Sequence, residues 1–299
     1  MKSWLTKLVP ESLKSRIHQS KYFTRLRAKQ LASRSKRLDL CAAQIAHLLH
    51  VAKYLSVKEK VCVELGSGWV LSHAIVFHLL GARKVIATDV SPLAQPSFLS
   101  EAIHCAVPYI VRDILSPFCE HSEIRRRLDN LLSIKDFSFD VLKRIGVEYI
   151  APKDLAKTPL GIPFDFVYSL SVLEHVPMED VLSLLRNLAK DLREGGIMVH
   201  AIHLEDHESS SSPFAFLSET QDSFPRSVQT ERGNRMRRSQ WLDLLYNVKD
   251  VDFRFIYEWS RLDKKFPEII DPSISYKGED DLRISHIAVL GTKKRTDQE

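Results

Sequence analysis

The sequence predicts an α/β fold with a doubly wound, mostly parallel sheet of seven strands, together with N-terminal helices and an inserted helical cap. Two observations support this prediction. From residue 61 to residue 204, short apolar runs alternate with helical patterns, which is typical of parallel strands joined by helices. Two further strand-like runs, at 253–259 and 282–291, are separated by a segment that contains prolines, and they predict a closing strand pair.

The individual elements can be placed from apolar periodicity and from the positions of glycine and proline. This alternation brings the carboxyl ends of the parallel strands to one edge, where open α/β sheets bind their ligands. Helices are predicted at 38–55, 71–80 and 178–192, and the first five strands at 61–65, 84–88, 148–150, 164–170 and 197–204, with a turn at Gly195–Gly196.

The connections between these elements predict the domain organisation. The segment 91–146 is longer than a crossover between parallel strands needs and contains three helical patterns, so we predict an inserted helical cap there. The polar segment 205–240 is predicted to be a loop region that could act as a lid. The chain then divides into a basic N-terminal helical arm at 1–56 and one large domain at 57–299.

The composition is that of a globular protein without a membrane span. The chain is 44% hydrophobic and 27% charged, which is the usual range for folded domains. Its best apolar run, 69–80, contains two histidines and is shorter than the ~20 residues that cross a bilayer. Four cysteines occur without a CxxC pair, which favours a reducing, cytoplasmic location and disfavours a cysteine-based zinc site.

The charge is divided between the N-terminal arm and the rest of the chain. Residues 1–38 hold 11 Lys/Arg and one acidic residue, giving +10, and the remaining 32 basic and 37 acidic residues give −5. Because the body is mildly acidic, no nucleic-acid partner is expected. Trp4, Leu5 and Leu8 recur among lysines at helical spacing. Three interpretations of this arm remain open: a helix packed on its own domain, a helix on an anionic membrane surface, and a presequence or nucleic-acid arm.

The stretch VELGSGWVL, residues 63–71, predicts a strand that ends in a glycine turn and opens a helix. Asp89 follows Gly68 by 21 residues, at the end of the second strand, where an acid can hold ribose hydroxyls. Glu64 would repel a pyrophosphate, and Leu71 stands where dinucleotide-binding turns have a third glycine. An adenosine ligand with positive charges is therefore favoured over nicotinamide or flavin cofactors. S-adenosylmethionine (SAM) has both an ammonium and a sulfonium group.

Four motifs in order resemble those of the class I SAM-dependent methyltransferases. They are VELGSGWVL at 63–71, VIATDVSP at 85–92, FDFVYSLSVLEHVP at 164–177 and LREGGIMVHAI at 192–202. The SxxVLEHVP variety is shared with ubiquinone-type O-methyltransferases and type 11/12 methyltransferase domains. This resemblance, which covers about residues 61–204, implies a Rossmann-like methyltransferase fold with SAM as cofactor. The sequence departs from the family at Val70, where a third glycine is usual.

The resemblance implies eight cofactor-binding residues at the ends of the parallel strands. Glu64 would face the methionine amino group, Asp89 would hold the ribose hydroxyls, and Ser169 would close the methionine end. The glycines would lie under the amino group, Val90 against the adenine, and the two residues after the third strand near the adenine amine. The full set is Glu64, Gly66, Gly68, Asp89, Val90, Asp154, Leu155 and Ser169.

Histidines after the fourth and fifth strands are the predicted catalytic groups, because reactive groups in open α/β sheets lie beyond the strand ends. His207 is the first choice for a general base, since Asp206 could orient its imidazole, and His175 is the second. His203 precedes His207 by four residues and is a further candidate, and a structural role for His203 and His207 stays equally open. We predict that this group activates a hydroxyl acceptor for methylation.

The sequence predicts a mechanism without a metal ion. The stretch SVLEH, residues 171–175, is similar to the ExxEH motif that binds a divalent ion in small-RNA 2′-O-methyltransferases and some quinone O-methyltransferases, but Ser171 replaces its first acid. A site made of Glu174, His175 and a later histidine would therefore lack a ligand. The alternative is that the Glu–His pair only forms the turn into the next helix.

The predicted function is methyl transfer from SAM to a small-molecule or lipid-linked acceptor, with oxygen as the favoured acceptor atom. The alternative is a non-catalytic SAM-fold protein, anchored to a membrane or a partner by its basic arm. The departures from the family pattern at Val70 and Ser171 leave this alternative open. The run GNRMRRSQW at 233–241 could bind a substrate carboxylate or phosphate through its arginines, or simply begin a solvated helix.

Overall fold

The computed structural model describes residue 26 and residues 29–31, 33–34, 36–53 and 55–295. Most of the basic arm, including the amphipathic stretch around Trp4, therefore lies outside the described residues. Among the described helices, none combines the length and the apolar character that a bilayer crossing requires.

Seven described strands form one sheet, in which the first five strands are parallel and the last runs antiparallel to its two neighbours. They are β1 (Val61–Leu65), β2 (Lys84–Thr88), β3 (Val147–Ile150), β4 (Phe164–Leu170), β5 (Leu192–His203), β6 (Val251–Ser260) and β7 (Ile284–Lys293). Their order across the sheet is β3-β2-β1-β4-β5-β7-β6. The predicted doubly wound, mostly parallel sheet and its closing pair are confirmed.

Strand β5 begins earlier than the apolar pattern predicts. Its pairing with β4 is irregular between Phe164 and Phe166, so extra residues of β5 form a bulge. Gly195 lies there with a φ of +69°, and a Cβ on Gly196 would stand 2.6 Å from the Arg193 carbonyl oxygen. The predicted Gly195–Gly196 turn is therefore wrong, because these glycines form an irregularity inside the strand.

Ten described helices connect the strands. They are α1 (Leu38–Val51), α2 (Ser72–Leu79), α3 (Pro96–His104), α4 (Pro108–Leu115), α5 (His121–Ser133), α6 (Phe139–Arg144), α7 (Met178–Asp191), α8 (Arg226–Arg232), α9 (Arg238–Tyr246) and α10 (Glu279–Arg283). The sequence shows three helical patterns in 91–146, whereas the structure has four helices there, and the additional one is α4, which begins at Pro108. Proline is favourable at the first helical position, where its missing N–H would have no partner.

The two faces of the sheet are covered by different helices. On one face, α1 and α2 pack with the helices of 91–146 in a shared core that buries Phe77 and Leu128. On the other face, α7 and α9 bury residues such as Trp241 against the sheet. The helical insertion is thus part of the main core, and α3 also reaches the glycine turn through Phe98.

The segment 205–240, which the sequence analysis considers as a lid, has a hydrophobic cluster of its own. Phe214, Phe216 and Phe224 are buried and pack with Ile274, which comes from the connection between β6 and β7. This segment is therefore packed against the domain in the structure. A buried aromatic cluster of this kind resists opening.

Candidate cofactor and catalytic site

The glycine turn forms between β1 and α2, where the sequence predicts it. Gly66 and Gly68 have φ angles of +64° and +63°, which glycine adopts without strain. A Cβ on Gly66 would stand 2.6 Å from Val172, whereas nothing lies within 4 Å of the same position on Gly68. Gly66 is thus required by close packing, and the open side of Gly68 leaves room for a ligand against the backbone.

Asp89 joins the end of β2 to this turn. One carboxylate oxygen accepts a hydrogen bond from Gly68 N at 2.9 Å, and the other accepts from Ser91 N at 3.0 Å. The residue is 8% exposed. The 21-residue spacing therefore brings Asp89 into direct contact with the turn, with its carboxylate held in one orientation.

A cleft of about 380 Å³ opens at the carboxyl ends of the parallel strands. Its mostly apolar wall and the oriented carboxylate of Asp89 suit an adenosine group, and Asp154 and Asp180 line the cleft as well. Five of the predicted cofactor residues line it, and one predicted catalytic residue does so as well. They are Gly66, Asp89, Val90, Asp154 and Leu155, with His175.

Three predicted cofactor residues, Glu64, Gly68 and Ser169, do not line this cleft. Glu64 faces α2, with Oε1 3.6 Å from Nδ1 of His73, and its Oε2 has no hydrogen-bond partner in the described part of the chain. Ser169 is fully buried, and its Oγ lies 2.9 Å from Nδ1 of His200. The Ser169 hydroxyl therefore makes a hydrogen bond inside the sheet, and the role of Ser169 at the methionine end stays a prediction.

The residues around the turn fit SAM in charge and in shape. A buried carboxylate oxygen without a partner is unfavourable, and an ammonium group would relieve this at Glu64. Asp89 uses two acceptor positions for backbone N–H groups and keeps others for ribose hydroxyls. The open side of Gly68 lets the cofactor approach the backbone. Bound SAM would supply the activated methyl group.

Four histidine rings lie in contact beyond the ends of β4 and β5. The ring centroid of His207 lies 4.4 Å from that of His175 and 4.6 Å from that of His203, and His203 stacks on His286 at 4.1 Å. Nδ1 of His175 lies 3.0 Å from the Thr230 carbonyl oxygen. A carbonyl can only accept, so this nitrogen carries the proton, and Nε2 of the neutral ring has a lone pair. Burial lowers the pKa of His175, which favours that neutral ring.

Asp206 pairs with Arg232 and not with His207. Its Oδ2 lies 2.6 Å from Nη2 of Arg232, which also contacts Glu219 at 2.7 Å. Hydrogen bonds to these two carboxylates raise the pKa of Arg232. The predicted orientation of His207 by Asp206 is therefore wrong, because Asp206 already serves to hold the 205–240 segment through Arg232.

Glu205 and His286 belong to this site, although the sequence analysis does not identify them. Oε2 of Glu205 lies 2.8 Å from Nε2 of His203, and its other oxygen contacts Arg261. His286 lies opposite His203 in the pairing of β5 with β7. Only this antiparallel register brings the two histidines together, so the register is the signal that would identify His286.

Two arginines of 233–241, Arg235 and Arg237, bind backbone groups of the protein, whereas Arg238 pairs with Glu258. Arg237 is fully buried and donates hydrogen bonds to the carbonyl oxygens of Leu204 and Leu282, and burial lowers its pKa to about 10. Arg235 donates to the carbonyl oxygen of Glu219 at 2.6 Å. Both interpretations offered by the sequence are wrong for these two residues. Arg235 binds within the 205–240 segment, and Arg237 joins that segment to the chain at the start of β7.

Some solved structures are similar to this chain. An S-adenosylmethionine-dependent methyltransferase from Mesorhizobium loti is 18% identical, with a TM-score of 0.45, over 84% of this chain and 98% of that one. Human N-acetylserotonin methyltransferase in complex with SAM is 17% identical, with a TM-score of 0.47, over 97% of this chain and 62% of that one. The YcgJ protein from Bacillus subtilis is 12% identical, with a TM-score of 0.45, over 85% of this chain and 100% of that one.

The family assignment depends on a sequence match. No curated protein matches the chain. Residues 49–248, about two thirds of the chain, match the family model described as a methyltransferase domain. This range contains the glycine turn, Asp89 and the histidines that follow β4 and β5. The chain therefore belongs to the methyltransferase domain family and is a SAM-dependent methyltransferase.

Proposed function

We propose that the enzyme transfers the SAM methyl group to an oxygen atom of a small-molecule or lipid-linked acceptor. The observation that supports this proposal is the position of His175, which lines the cleft together with Asp89 and has a lone pair on Nε2. A hydroxyl acceptor needs a base that takes its proton during the transfer. A neutral imidazole in the cleft can supply that base.

His175 replaces His207 as the favoured base. Nε2 of His207 lies 3.1 Å from Nδ1 of His203 and 3.4 Å from Oε1 of Glu174, so this nitrogen is engaged within the cluster. In the proposed reaction a bond forms between the acceptor oxygen and the methyl carbon, and the carbon–sulfur bond breaks. Sulfur keeps that electron pair, SAM becomes the neutral thioether S-adenosylhomocysteine, and the hydroxyl proton passes to the imidazole.

We also propose where the protein acts and what it binds. All four cysteines are free thiols, which supports a reducing, cytoplasmic compartment. We further propose that the basic residues of 1–38 hold the protein at an anionic membrane surface, which would suit a lipid-linked acceptor. A nucleic-acid partner is not proposed, because the rest of the chain carries a net charge of −5.

The function is tested by combining SAM binding with identification of a product. Calorimetry measures SAM binding, and mass spectrometry follows lysate metabolites incubated with the enzyme and with SAM that carries a deuterated methyl group. We expect SAM binding and a metabolite that gains one labelled methyl group on oxygen. Binding of SAM without a metabolite labelled on oxygen would contradict the proposed acceptor.

The role of His175 is tested by His175→Asn. The asparagine amide can keep the hydrogen bond to Thr230, but it offers no proton acceptor at the position of Nε2. We expect turnover to fall by about 10²–10⁴-fold with little change in SAM affinity. The control is His121→Asn, at an exposed histidine that begins α5. Full activity of His175→Asn would show that the transfer needs no base at this position.

A further inference from the structure

We infer that Glu174, His203 and His207 bind a divalent transition-metal ion of the zinc type. One ligand atom from each residue lies within 4.8 Å of the other two. Two imidazoles and one carboxylate are a donor set that zinc uses in enzymes, with a further position open to water or substrate. The catalytic part of this inference rests on the proposed function, whereas the metal site itself rests on the geometry alone.

Glu174 has a buried carboxylate that no hydrogen bond from the described residues satisfies. The residue is 1% exposed, and neither of its carboxylate oxygens has a hydrogen-bond partner there. The backbone around it is fixed by Asn234, whose N–H donates to the Glu174 carbonyl oxygen at 2.6 Å and whose side chain donates to Leu173 and Val176. A buried carboxylate in this state is strongly unfavourable, and a bound cation would compensate it.

One ring nitrogen of each histidine lies near this carboxylate. Nε2 of His203 donates to Glu205, so Nδ1 of the neutral His203 ring has a lone pair. That Nδ1 lies 3.1 Å from Nε2 of His207, which lies 3.4 Å from Oε1 of Glu174. One proton on His207 could serve only one of these two acceptors. Ligand atoms about 2.1 Å from zinc stand roughly 3.0–3.4 Å apart at octahedral or tetrahedral angles, so both spacings fit an ion.

His203 also has the kind of carboxylate partner that supports a metal-binding histidine. Glu205 is 7% exposed, accepts from Nε2 of His203 and contacts Arg261 through its other oxygen. A carboxylate behind a ligating imidazole fixes the ring and makes it more basic. The group of His203, Glu205 and His286 also brings ligand atoms together, but Glu205 is already paired there. We therefore assign the ion to the Glu174 side of His203.

The sequence predicts a mechanism without a metal ion, whereas the inferred site holds one. The sequence analysis treats Ser171 as a missing ligand, but the fold brings both His203 and His207 to Glu174. The side chains of the two histidines are 21% and 24% exposed, so an ion can enter and an acceptor can reach it. A hydroxyl bound to such an ion loses its proton more readily. The open position would therefore take the hydroxyl oxygen of the acceptor.

Metal binding is tested on the full chain with Zn²⁺ and Co²⁺. The protein is treated with a chelator, incubated with Zn²⁺, desalted and analysed for bound metal, and Co²⁺ binding is followed by visible absorption. We expect about one Zn²⁺ per chain, a melting temperature that rises with Zn²⁺, and a Co²⁺ spectrum typical of nitrogen and oxygen ligands in a site that is not octahedral.

Variants identify the ligands. Glu174→Gln and His207→Ala should each weaken Zn²⁺ binding by more than the roughly 10–100-fold expected for Glu205→Gln, which removes only the partner of His203. His121→Ala, at an exposed histidine, should bind Zn²⁺ like the wild type. Because His207 is partly exposed, His207→Ala should fold even if Glu174→Gln does not.

Two results would overturn the assignment. Either the wild type retains no Zn²⁺, or the variants at Glu174 and His207 bind Zn²⁺ as tightly as the wild type. SAM binding, measured in the same samples, separates this inference from the proposed function. SAM binding without Zn²⁺ binding would refute the metal site alone, and Zn²⁺ binding without SAM binding would refute the proposed function alone.

Discussion

At the scale of single residues, Asp89 orients the cofactor site in the absence of any ligand. The same carboxylate accepts hydrogen bonds from Gly68 N and from Ser91 N. These two bonds close the turn and fix the orientation of the carboxylate. A carboxylate has about four acceptor positions, and two remain for ribose hydroxyls. The sequence reveals Asp89 because a strand, turn, helix and second strand fix its spacing. It does not reveal the pairing of Asp206 with Arg232, because the two residues are 26 positions apart and most of the chain between them is irregular.

Asp89→Ala should lower SAM affinity by about 100-fold or more, because two charge-assisted hydrogen bonds of ~1.5–3 kcal/mol each are lost. Asp89→Asn keeps one acceptor oxygen and should lose less affinity. The melting temperature of the free protein should fall only slightly, since the turn retains its other contacts. Calorimetry with SAM measures the change, and Asp129→Ala at an exposed position of α5 is the control. Unchanged SAM binding in Asp89→Ala would disprove the ribose assignment.

At the scale of secondary-structure elements, β4 and β5 are joined by a buried polar pair. Ser169 and His200 are paired in register, and both side chains are fully buried. Nε2 of His200 has no hydrogen-bond partner within the described ranges, and burial lowers the pKa of His200 from 6.5 to about 3. Strand alternation predicts that His200 lies in the core. It cannot predict the contact with Ser169, because that contact depends on the register between the two strands.

Acid should destabilise the fold through His200. Between pH 6.5 and pH 3, the unfolded chain binds a proton at this residue that the folded chain excludes. The free energy of unfolding therefore falls as the pH falls through that window, by about 2 kcal/mol between pH 7 and pH 5. His78, whose pKa burial lowers to about 4, acts in the same direction.

Urea unfolding at pH 7 and at pH 5 measures this effect. The double variant Ser169→Ala/His200→Phe removes the titrating ring together with its partner. From pH 7 to pH 5, the free energy of unfolding of this double variant should fall by about 2 kcal/mol less than that of the wild type. Ser169→Ala alone keeps the histidine and is the matched control. An equal loss in the double variant and in the wild type would show that His200 does not resist protonation in the folded protein.

The boundaries of the elements show which sequence signals are sufficient. The bounds of β1, β2 and β4 match their predictions, because each apolar run ends at a glycine, a charged residue or a turn. The start of β5 does not match, since backbone pairing continues past two glycines that resemble a turn. A local pattern therefore predicts where an apolar strand lies. It does not predict how far backbone hydrogen bonds continue beyond the strand's apolar residues.

At the scale of the whole molecule, the positive charge and the folded domain meet near residue 36. Ser72 Oγ donates to the Lys36 carbonyl oxygen at 2.6 Å, and Arg37 pairs with Asp39 at 2.6 Å. Helix α1, which the sequence analysis assigns to the arm, is buried in the main core through residues such as Ile45. Residues 1–35 hold nine Lys/Arg and one acidic residue. Most of the positive charge can therefore be removed while the contacts of Lys36 and Arg37 are kept.

A shortened chain that begins at Lys36 should keep SAM binding and lose binding to membranes. The full chain should sediment with vesicles that contain anionic lipid at low salt and should be released as salt rises, because salt screens such charges over about 10 Å at 0.1 M. Vesicles of neutral lipid are the control. If the shortened chain aggregates or loses SAM binding, residues 1–35 belong to the folded domain, and the packed-helix interpretation of the arm is correct. If it still binds anionic vesicles, the surface responsible lies in the folded domain.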